Sequence, residues 1–460
     1  MKAVLFLALY TAATTAHRAK YGSDTGLCPR EPFATLFSGT SPLSSPAFQA
    51  QQATKLEDKI PSQHTSNSDK NTTLSDVPSG HNWTFSSPCV HSTTLNDKIC
   101  VFSDAKFASG KGISILTTPS RARFIASQHA LSKPDSIQRI VDRTRSTTTP
   151  AKYEMKKFPK RGMGLEATRF IRRGELIMAD TASLMIDYRS ADWLSSEDYE
   201  SLNAYGVGYL PEAARKTFMN LSTHADATGL TKTQIIRKII STNSFEINPE
   251  FEDKEQAQFL AIFPEISRMN HDCRPSAKYY FNYETMTHYV HAMRDIFPGE
   301  ELSLSYINPS MSRRERRKRL KESWGFSCEC RSCTQDDIQG AVSDDRIAKI
   351  NSLLPEFLSY EPTSQATPKM AELLISLYQQ EKMWGAIYIG YIYAALEYSG
   401  IGDAWTATKY AHLALEYGIP AVSIESNDIF EMAKLASDPW NHWSWMKRTN
   451  NQVSFGGIPH

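Results

Sequence analysis

Cys328-Glu329-Cys330-Arg331-Ser332-Cys333 places three thiols within six residues. A strand would point them to alternate faces, and a helix would fan them around its axis. A tight turn wrapped on a metal ion gathers them instead. Zinc takes sulfur ligands tetrahedrally, and closed structural sites use four of them. The run supplies three, so the fourth must come from elsewhere. Cys273, in Asn270-His271-Asp272-Cys273, is the candidate. The expectation is a structural zinc held by Cys273, Cys328, Cys330 and Cys333; free or oxidised thiols are the alternative. Such a site pins two distant segments together and leaves no position open to activate water.

Two further stretches precede the cysteines. Arg161-Gly162-Met163-Gly164-Leu165 reads as a glycine turn entering a strand, and Gly299-Glu300-Glu301-Leu302-Ser303-Leu304-Ser305-Tyr306 as a turn followed by an apolar strand ending on Tyr306. Singly, none of these is specific. Two glycines usually make a turn, a strand tyrosine is usually half-buried packing, and a lone histidine is usually a hydrogen-bonded core or surface residue.

Their order carries more. A G-x-G strand, an Asn-His-x-Cys-x-Pro loop, the strand ending at Tyr306 and the CxCxxC run together resemble the SET-domain lysine methyltransferases. The resemblance is nearest to the branch with a split SET domain, a CxCxxC tail and a helical C-terminal domain, the SET- and MYND-containing enzymes and their fungal relatives. It covers about residues 153–333; residues 340–445 match in helical character alone. The cysteines of a MYND finger are absent between Ala179 and Asn243. The implied fold is α+β: a mainly-β SET domain with a threaded pseudoknot formed by residues 268–275 and the segment around Tyr306, a helical insert at about 190–241, a post-SET zinc site, and a C-terminal α-helical, tetratricopeptide-like domain.

The resemblance also implies roles. Met163 and Gly164 would line the S-adenosylmethionine pocket, Asn243 would contact that cofactor, Asn270 and His271 would hydrogen-bond it, and Phe326 would cover its adenine. Tyr306 would sit beside the transferable methyl group as the catalytic residue. The implied activity is S-adenosylmethionine-dependent methylation of a protein or peptide lysine. Methyl transfer needs a neutral amine, whereas free lysine has a pKa of ~10.4. An apolar, aromatic channel lowers that value; Tyr279, Tyr280, Phe281, Tyr283, Tyr306 and Phe326 are candidates for its walls. Strand alternation puts Tyr279 and Phe281 on one face and Tyr280 on the other. Two positions depart from the family's usual Asn-His-Ser-Cys-x-Pro-Asn: Asp272 stands for the serine and Ser276 for the last asparagine. They motivate the alternative of a catalytically silent SET module acting as a protein-interaction protein. Methylation of a small amine or a secreted protein is a third reading.

The rest of the chain is organised around this region. Residues 1–16 read as a signal peptide: Lys2, an apolar run, then Thr14-Thr15-Ala16. That reading implies the secretory pathway or export, against a packed or disordered start of a nuclear or cytoplasmic protein. Residues 17–80 are polar and proline-containing, a flexible segment. Residues 81–150 form an N-terminal extension with a strand at 112–117 and a helix over 121–141. Residues 151–333 make the SET and post-SET region, and 340–460 the helical C-terminal domain. Helices are expected at 195–203, 211–220, 231–241, 345–358, 369–381, 384–398 and 405–417 from their apolar spacing. Ala404, Ala407, Ala411 and Ala414 allow close helix packing there, which reads equally as tetratricopeptide-like hairpins or as an irregular helical cap.

Seven cysteines leave Cys28, Cys89 and Cys100 outside the cluster. Cys89 and Cys100 flank a short loop and read equally as a disulfide or as two thiols; Cys28 has no evident partner. Asn71, Asn82 and Asn220 begin glycosylation sequons. Lys+Arg (51) and Asp+Glu (50) nearly cancel, which argues against a surface built to bind nucleic acid. The run Arg313-Arg314-Glu315-Arg316-Arg317-Lys318-Arg319 reads as a solvated helix face rather than a nucleic-acid patch. No apolar run after the start is long enough to span a bilayer.

Overall fold

The computed structural model describes residues 83–449, apart from 86–87, 93–95, 128–130, 132–150, 224–226, 248–257, 359 and 361–363. The signal-like start, the segment 17–80, Cys28 and the sequons at Asn71 and Asn82 lie outside the described residues. So does the latter part of the helix expected over 121–141.

Strands β1 (Cys89–Ser92) and β2 (Asp97–Asp104) form a hairpin with Cys89 opposite Cys100, and a disulfide joins the two. Gly110 and Gly112 then turn the chain with positive φ into β3 (Ile113–Thr117). A Cβ on Gly112 would meet Pro211 Cδ at 2.4 Å, so the turn packs too closely for any side chain. Helix α1 (Pro119–Ser127) follows. Next come β4 (Tyr153–Phe158), β5 (Gly162–Ala167), β6 (Leu176–Thr181) and β7 (Leu184–Asp187).

Four helices interrupt the strands: α2 (Ser190–Trp193), α3 (Ser196–Gly208), α4 (Glu212–Met219) and α5 (Lys232–Asn243). The Ser195 hydroxyl caps α3 by accepting from the Asp198 N–H, and Thr231 with Gln234 makes a full capping box on α5. Strands return as β8 (Ser244–Ile247), β9 (Phe259–Ile262), β10 (Asn270–His271), β11 (Ala277–Asn282), β12 (Thr287–Ala292) and β13 (Glu301–Leu304).

Three sheets result. Their orders are β1-β2-β3-β7-β9-β8, β10-β13-β5-β4 and β11-β12-β6. Ser114 pairs with Leu184 in parallel, so the N-terminal hairpin extends the same sheet as β7 and β9. The buried ion pair of Arg121 with Asp187 fastens α1 to that sheet. Residues on the two faces of β3 enter different cores, as expected for a strand covered on both sides. Ile115 joins Met185, Phe263, Val290 and Leu302, whereas Leu116 joins Leu184, Ile236, Ile239 and Ile262 under the helices.

The C-terminal region is helical. It contains α6 (Arg313–Trp324), α7 (Asp337–Leu353), α8 (Pro368–Gln380), α9 (Ile387–Gly400), α10 (Ala404–Val422) and α11 (Asn427–Ser437). The start of α7 precedes the expected residue 345, because the Asp336 side chain caps it by accepting from the Gln339 N–H. The α-helix gives way to a 3-10 turn at Leu354–Leu358, where Pro355 has no N–H to donate. Ala404, Ala407, Ala411 and Ala414 are the buried stripe of α10. Among the described residues, no helix is long and apolar enough to cross a membrane.

One expectation fails in α6. The basic run is not a wholly solvated face: Arg316 is completely buried, and Arg313 is largely covered, donating to the Gln335 carbonyl at 2.8 Å and pairing with the exposed Asp337 at 3.0 Å. Arg316 and Leu320 share the inward side of the helix, one turn apart.

Candidate functional site

The site lies where β5, β10 and β13 meet. Asn270 pairs with Ser303, and His271 with Leu304, in parallel. Leu302 pairs with Leu165 of β5 in antiparallel register. Two segments 30 residues apart thus lie side by side, while the chain between them builds β11 and β12 in another sheet.

His271 is the hub. Its ring Nδ1 accepts the Tyr306 backbone N–H at 3.0 Å. That bond fixes the tautomer, leaving the proton on Nε2, which faces Cys273 Sγ at 3.3 Å. The His271 carbonyl accepts from Arg161 Nη2 at 2.5 Å. Burial holds the imidazole neutral, with its pKa pushed down to about 3. The bond to Nδ1 also corrects the reading of Tyr306 as a strand residue. The ladder of β13 stops at Leu304, and the Tyr306 amide leaves the sheet to bond the ring.

The half-buried Tyr306 donates its phenolic O–H to the Met269 carbonyl at 2.7 Å. Burial pushes the phenol above its ordinary range. Its ring centroid lies 5.3 Å from that of His271 and 5.4 Å from that of Trp324. Phe326 approaches His271 at 6.2 Å between centroids.

Gly164 holds β5 close to this loop. A Cβ there would come within 2.6 Å of Asn270 Nδ2 and 2.9 Å of Glu301 Oε1. Asn270 Nδ2 donates to Glu301 Oε1 at 2.8 Å and to the Met163 carbonyl at 3.4 Å. Arg161 pairs with Glu301 at 2.6 Å. Arg161 and Glu301 are parts of the site that sequence reasoning left without roles, although both stand inside the quoted stretches. Met163 projects its side chain outward, 44% exposed.

Asn243 stands apart from this knot. Its Nδ2 donates to the Ser222 and Ile239 carbonyls at 2.7 and 2.8 Å, which uses both amide hydrogens within the fold. It is linked to the rest through its neighbour: Trp324 Nε1 donates to the Thr242 carbonyl at 3.2 Å.

The four thiols converge. Cys273, Cys328, Cys330 and Cys333 are buried, with all Sγ atoms within 4.8 Å of one another and the Cys273–Cys333 pair at 3.6 Å. Hydrogen bonds from the other three, Cys273 first, push the Cys330 thiol far below its usual range. Hydrogen bonds with Cys328, Cys330 and Cys333 push the Cys273 thiol up. Four buried thiols at this spacing are compatible with a metal ion bound by all of them.

The two departures in the loop have structural partners. Ser276 and Ser303 exchange bonds: each hydroxyl accepts the other's backbone N–H, at 3.0 and 3.1 Å. That reciprocal pair clamps the loop to β13 where the family pattern has an asparagine. Asp272 accepts from the Arg274 N–H at 2.8 Å, and burial pushes its carboxyl up to about 6.

Of the aromatic residues, Tyr279 meets Phe245 edge-on at 5.1 Å and Phe281 meets Phe263 at 5.9 Å. Tyr280 faces the other way, stacked on Tyr289 and His291.

Comparison with known proteins supplies the context. Residues 162–307 match the SET domain family. The histone-lysine N-methyltransferase set5 of Schizosaccharomyces pombe is 31% identical over 190 residues, covering 38% of this chain and 56% of that protein. The N-lysine methyltransferase SMYD2 of Bos taurus is 37% identical over 113 residues, 24% of each chain. The human histone-lysine N-methyltransferase SMYD3 is 36% identical over 110 residues, 23% of this chain and 24% of that one. The matched region thus spans about half of the yeast protein and a quarter of the two animal ones.

Proposed function

We propose, from the premise that residues 162–307 are a SET domain, that this chain methylates the side-chain amine of a protein lysine, with S-adenosylmethionine as donor. The observation that carries the reading is the bonding of His271, whose ring and carbonyl tie together the Tyr306 backbone, Arg161 at the entry to β5, and Cys273. The names of the similar proteins support lysine as the acceptor.

S-adenosylmethionine supplies a methyl group on a sulfonium cation. The residues present fit such a donor: Gly164 lets the β5 backbone lie against Asn270, and the exposed Met163 and half-buried Phe326 flank that edge. Met163, Gly164, Asn270, His271 and Phe326 are the proposed donor contacts. Asn243 has its side-chain oxygen to offer the donor, since its amide hydrogens are engaged.

Tyr306 is the proposed catalytic residue. Its proton is committed to the Met269 carbonyl, which fixes the phenol in orientation. With the phenol pKa raised by burial, it orients the reacting groups and does not act as a base. Holding amine and methyl carbon in line supplies several kcal/mol of rate enhancement, on the order of that measured for oriented intramolecular reactions. The lysine must arrive neutral, and aromatic walls such as Tyr279, Phe245 and Phe281 favour that state by excluding water.

The four thiols fit zinc. Tetrahedral Zn–S bonds of ~2.3 Å put sulfurs about 3.8 Å apart, and Cys273 to Cys333 is 3.6 Å. The proposed zinc is structural, joining the tail after α6 to the His271 loop.

Incubation of the purified chain with labelled S-adenosylmethionine and a panel of basic proteins tests the activity. Label on lysine, lost in Tyr306→Phe, is the expected result. Donor binding by calorimetry without transfer to any substrate would favour the silent interaction module instead. Export is supported by the apolar start and the Cys89–Cys100 disulfide. N-terminal sequencing of cell-derived protein tests it: a mature end near residue 17 is expected, and an intact start in nuclear or cytoplasmic material would overturn it.

A further inference from the structure

Arg316 is the largest fully buried side chain among the described residues. Its Nη1 donates to the Met311 carbonyl at 2.6 Å. Nε and Nη2 are enclosed without a well-formed hydrogen bond, and no carboxylate pairs with the guanidinium among the described residues. An arginine keeps its proton in any such setting, and an isolated buried cation costs several kcal/mol. Some negative charge must therefore offset it.

The sulfur cluster is the charge at hand. Met311, whose carbonyl holds Nη1, packs against the four cysteines, and the burial that opposes the cation is offset by the charges of Cys273, Cys333 and Cys330. Leu320, one turn on, packs into the same cluster as the four cysteines. The cluster has a matching excess of its own. Zinc carries two positive charges and four thiolates carry four negative ones, so the unit is left with two buried negative charges. Among polar groups, the His271 ring donates to Cys273, but it is neutral.

We infer that Arg316 is the internal counter-cation of the tetrathiolate centre, cancelling one of its two excess negative charges and so setting its metal affinity and the reactivity of its sulfurs. The inference rests on the zinc reading above. Arg316 is a positioning residue: it lies beside the sulfur ligands, between Met311 and Leu320, which both pack against them. It also explains why Arg316, alone of the arginines in that run, is completely buried.

The test compares the full zinc-loaded chain with Arg316→Lys, Arg316→Gln and Arg316→Met. Zinc affinity is read by competition with a colorimetric chelator, and sulfur reactivity by the rate of iodoacetamide alkylation in the loaded state. The expected order of affinity follows charge. Arg316→Lys stays near the parent, while Arg316→Gln and Arg316→Met lose about 10- to 100-fold, the usual effect of removing a residue that supports a metal ligand. Alkylation accelerates in the same order, because uncompensated thiolates are better nucleophiles. A purely structural arginine would not sort the variants by charge. If Arg316→Met fails to fold, the Lys and Gln pair decides. Equal affinity and equal alkylation in those two would overturn the inference. A parent chain that binds no zinc would overturn the zinc reading itself, an outcome separate from any ranking of the variants.

Discussion

At the scale of single residues, the tightest constraints gather on Tyr306 and Gly164. Tyr306→Phe removes only the hydroxyl held by the Met269 carbonyl. Turnover should fall roughly 100-fold or more, the effect of losing reactant alignment, while calorimetric donor binding stays near the parent. Gly164→Ala forces a methyl group to 2.6 Å from the Asn270 amide and 2.9 Å from Glu301. Donor affinity should drop at least about tenfold, equivalent to roughly 1.4 kcal/mol, with the folded state retained by circular dichroism. The identities of these residues were legible because their motifs stand in a fixed order. Arg161 and Glu301 were not, because a charge in a turn reads as solvent-facing until the pairing of β5 with β13 brings the two together. Nor could the sequence reveal that Asn243 spends its amide hydrogens on Ser222 and Ile239.

Among the elements, β12 carries an unusual burden. Its His288 is stacked on Phe263 at 3.9 Å, edged by Phe245 and Phe281, and neither ring nitrogen has a hydrogen-bond partner. Burial pushes its pKa down to about 3, against ~6.5 for an unfolded histidine. Between those values the unfolded chain binds the proton and the folded one does not. Stability is therefore complete above pH 6.5 and falls as the pH drops towards 3, by on the order of 1 kcal/mol per pH unit for this one group. His288→Leu should flatten that part of the profile, seen as a smaller loss of melting temperature between pH 7 and pH 5 than in the parent; an unchanged profile would refute the assignment. The neighbouring strand β11 was legible from the alternation of Tyr279, Tyr280 and Phe281. Strands β8 and β9 were not, because each has only four residues and takes its place from the six-stranded sheet rather than from its own pattern. Likewise the length of α7 was hidden in an aspartate cap that precedes any apolar periodicity.

Across the whole molecule, a buried carboxylate helps tie the helical region to the site. Glu381, just past α8, accepts from Arg274 at 2.6 Å, from Arg346 at 2.6 Å and from Ser343 at 2.8 Å. Arg274 follows Cys273 directly and also donates to the Cys273 and Pro309 carbonyls. Although burial opposes the charge, bonds from Arg274 and Ser343 hold the Glu381 carboxyl below its ordinary range. Glu381→Gln leaves two arginines facing a neutral amide. It should cost roughly 3 kcal/mol, the scale found when one partner of a buried pair is removed, and loosen donor binding as well. Chemical denaturation and calorimetry on the same variant check both. Sequence patterning foretold helices here, but not which of their charges would reach back to the loop, since that depends on packing between distant parts of the chain. The same distance has a consequence for biosynthesis. Cys273 and Cys333 stand 60 residues apart, and β10 finds its neighbour β13 only late in the intervening stretch. A nascent chain therefore leaves the ribosome with Cys273 and its histidine hub made before their partners. A translation product that ends before Cys328 carries Cys273 without the three sulfurs that would join it, so the cluster can close only after the chain beyond β13 has emerged.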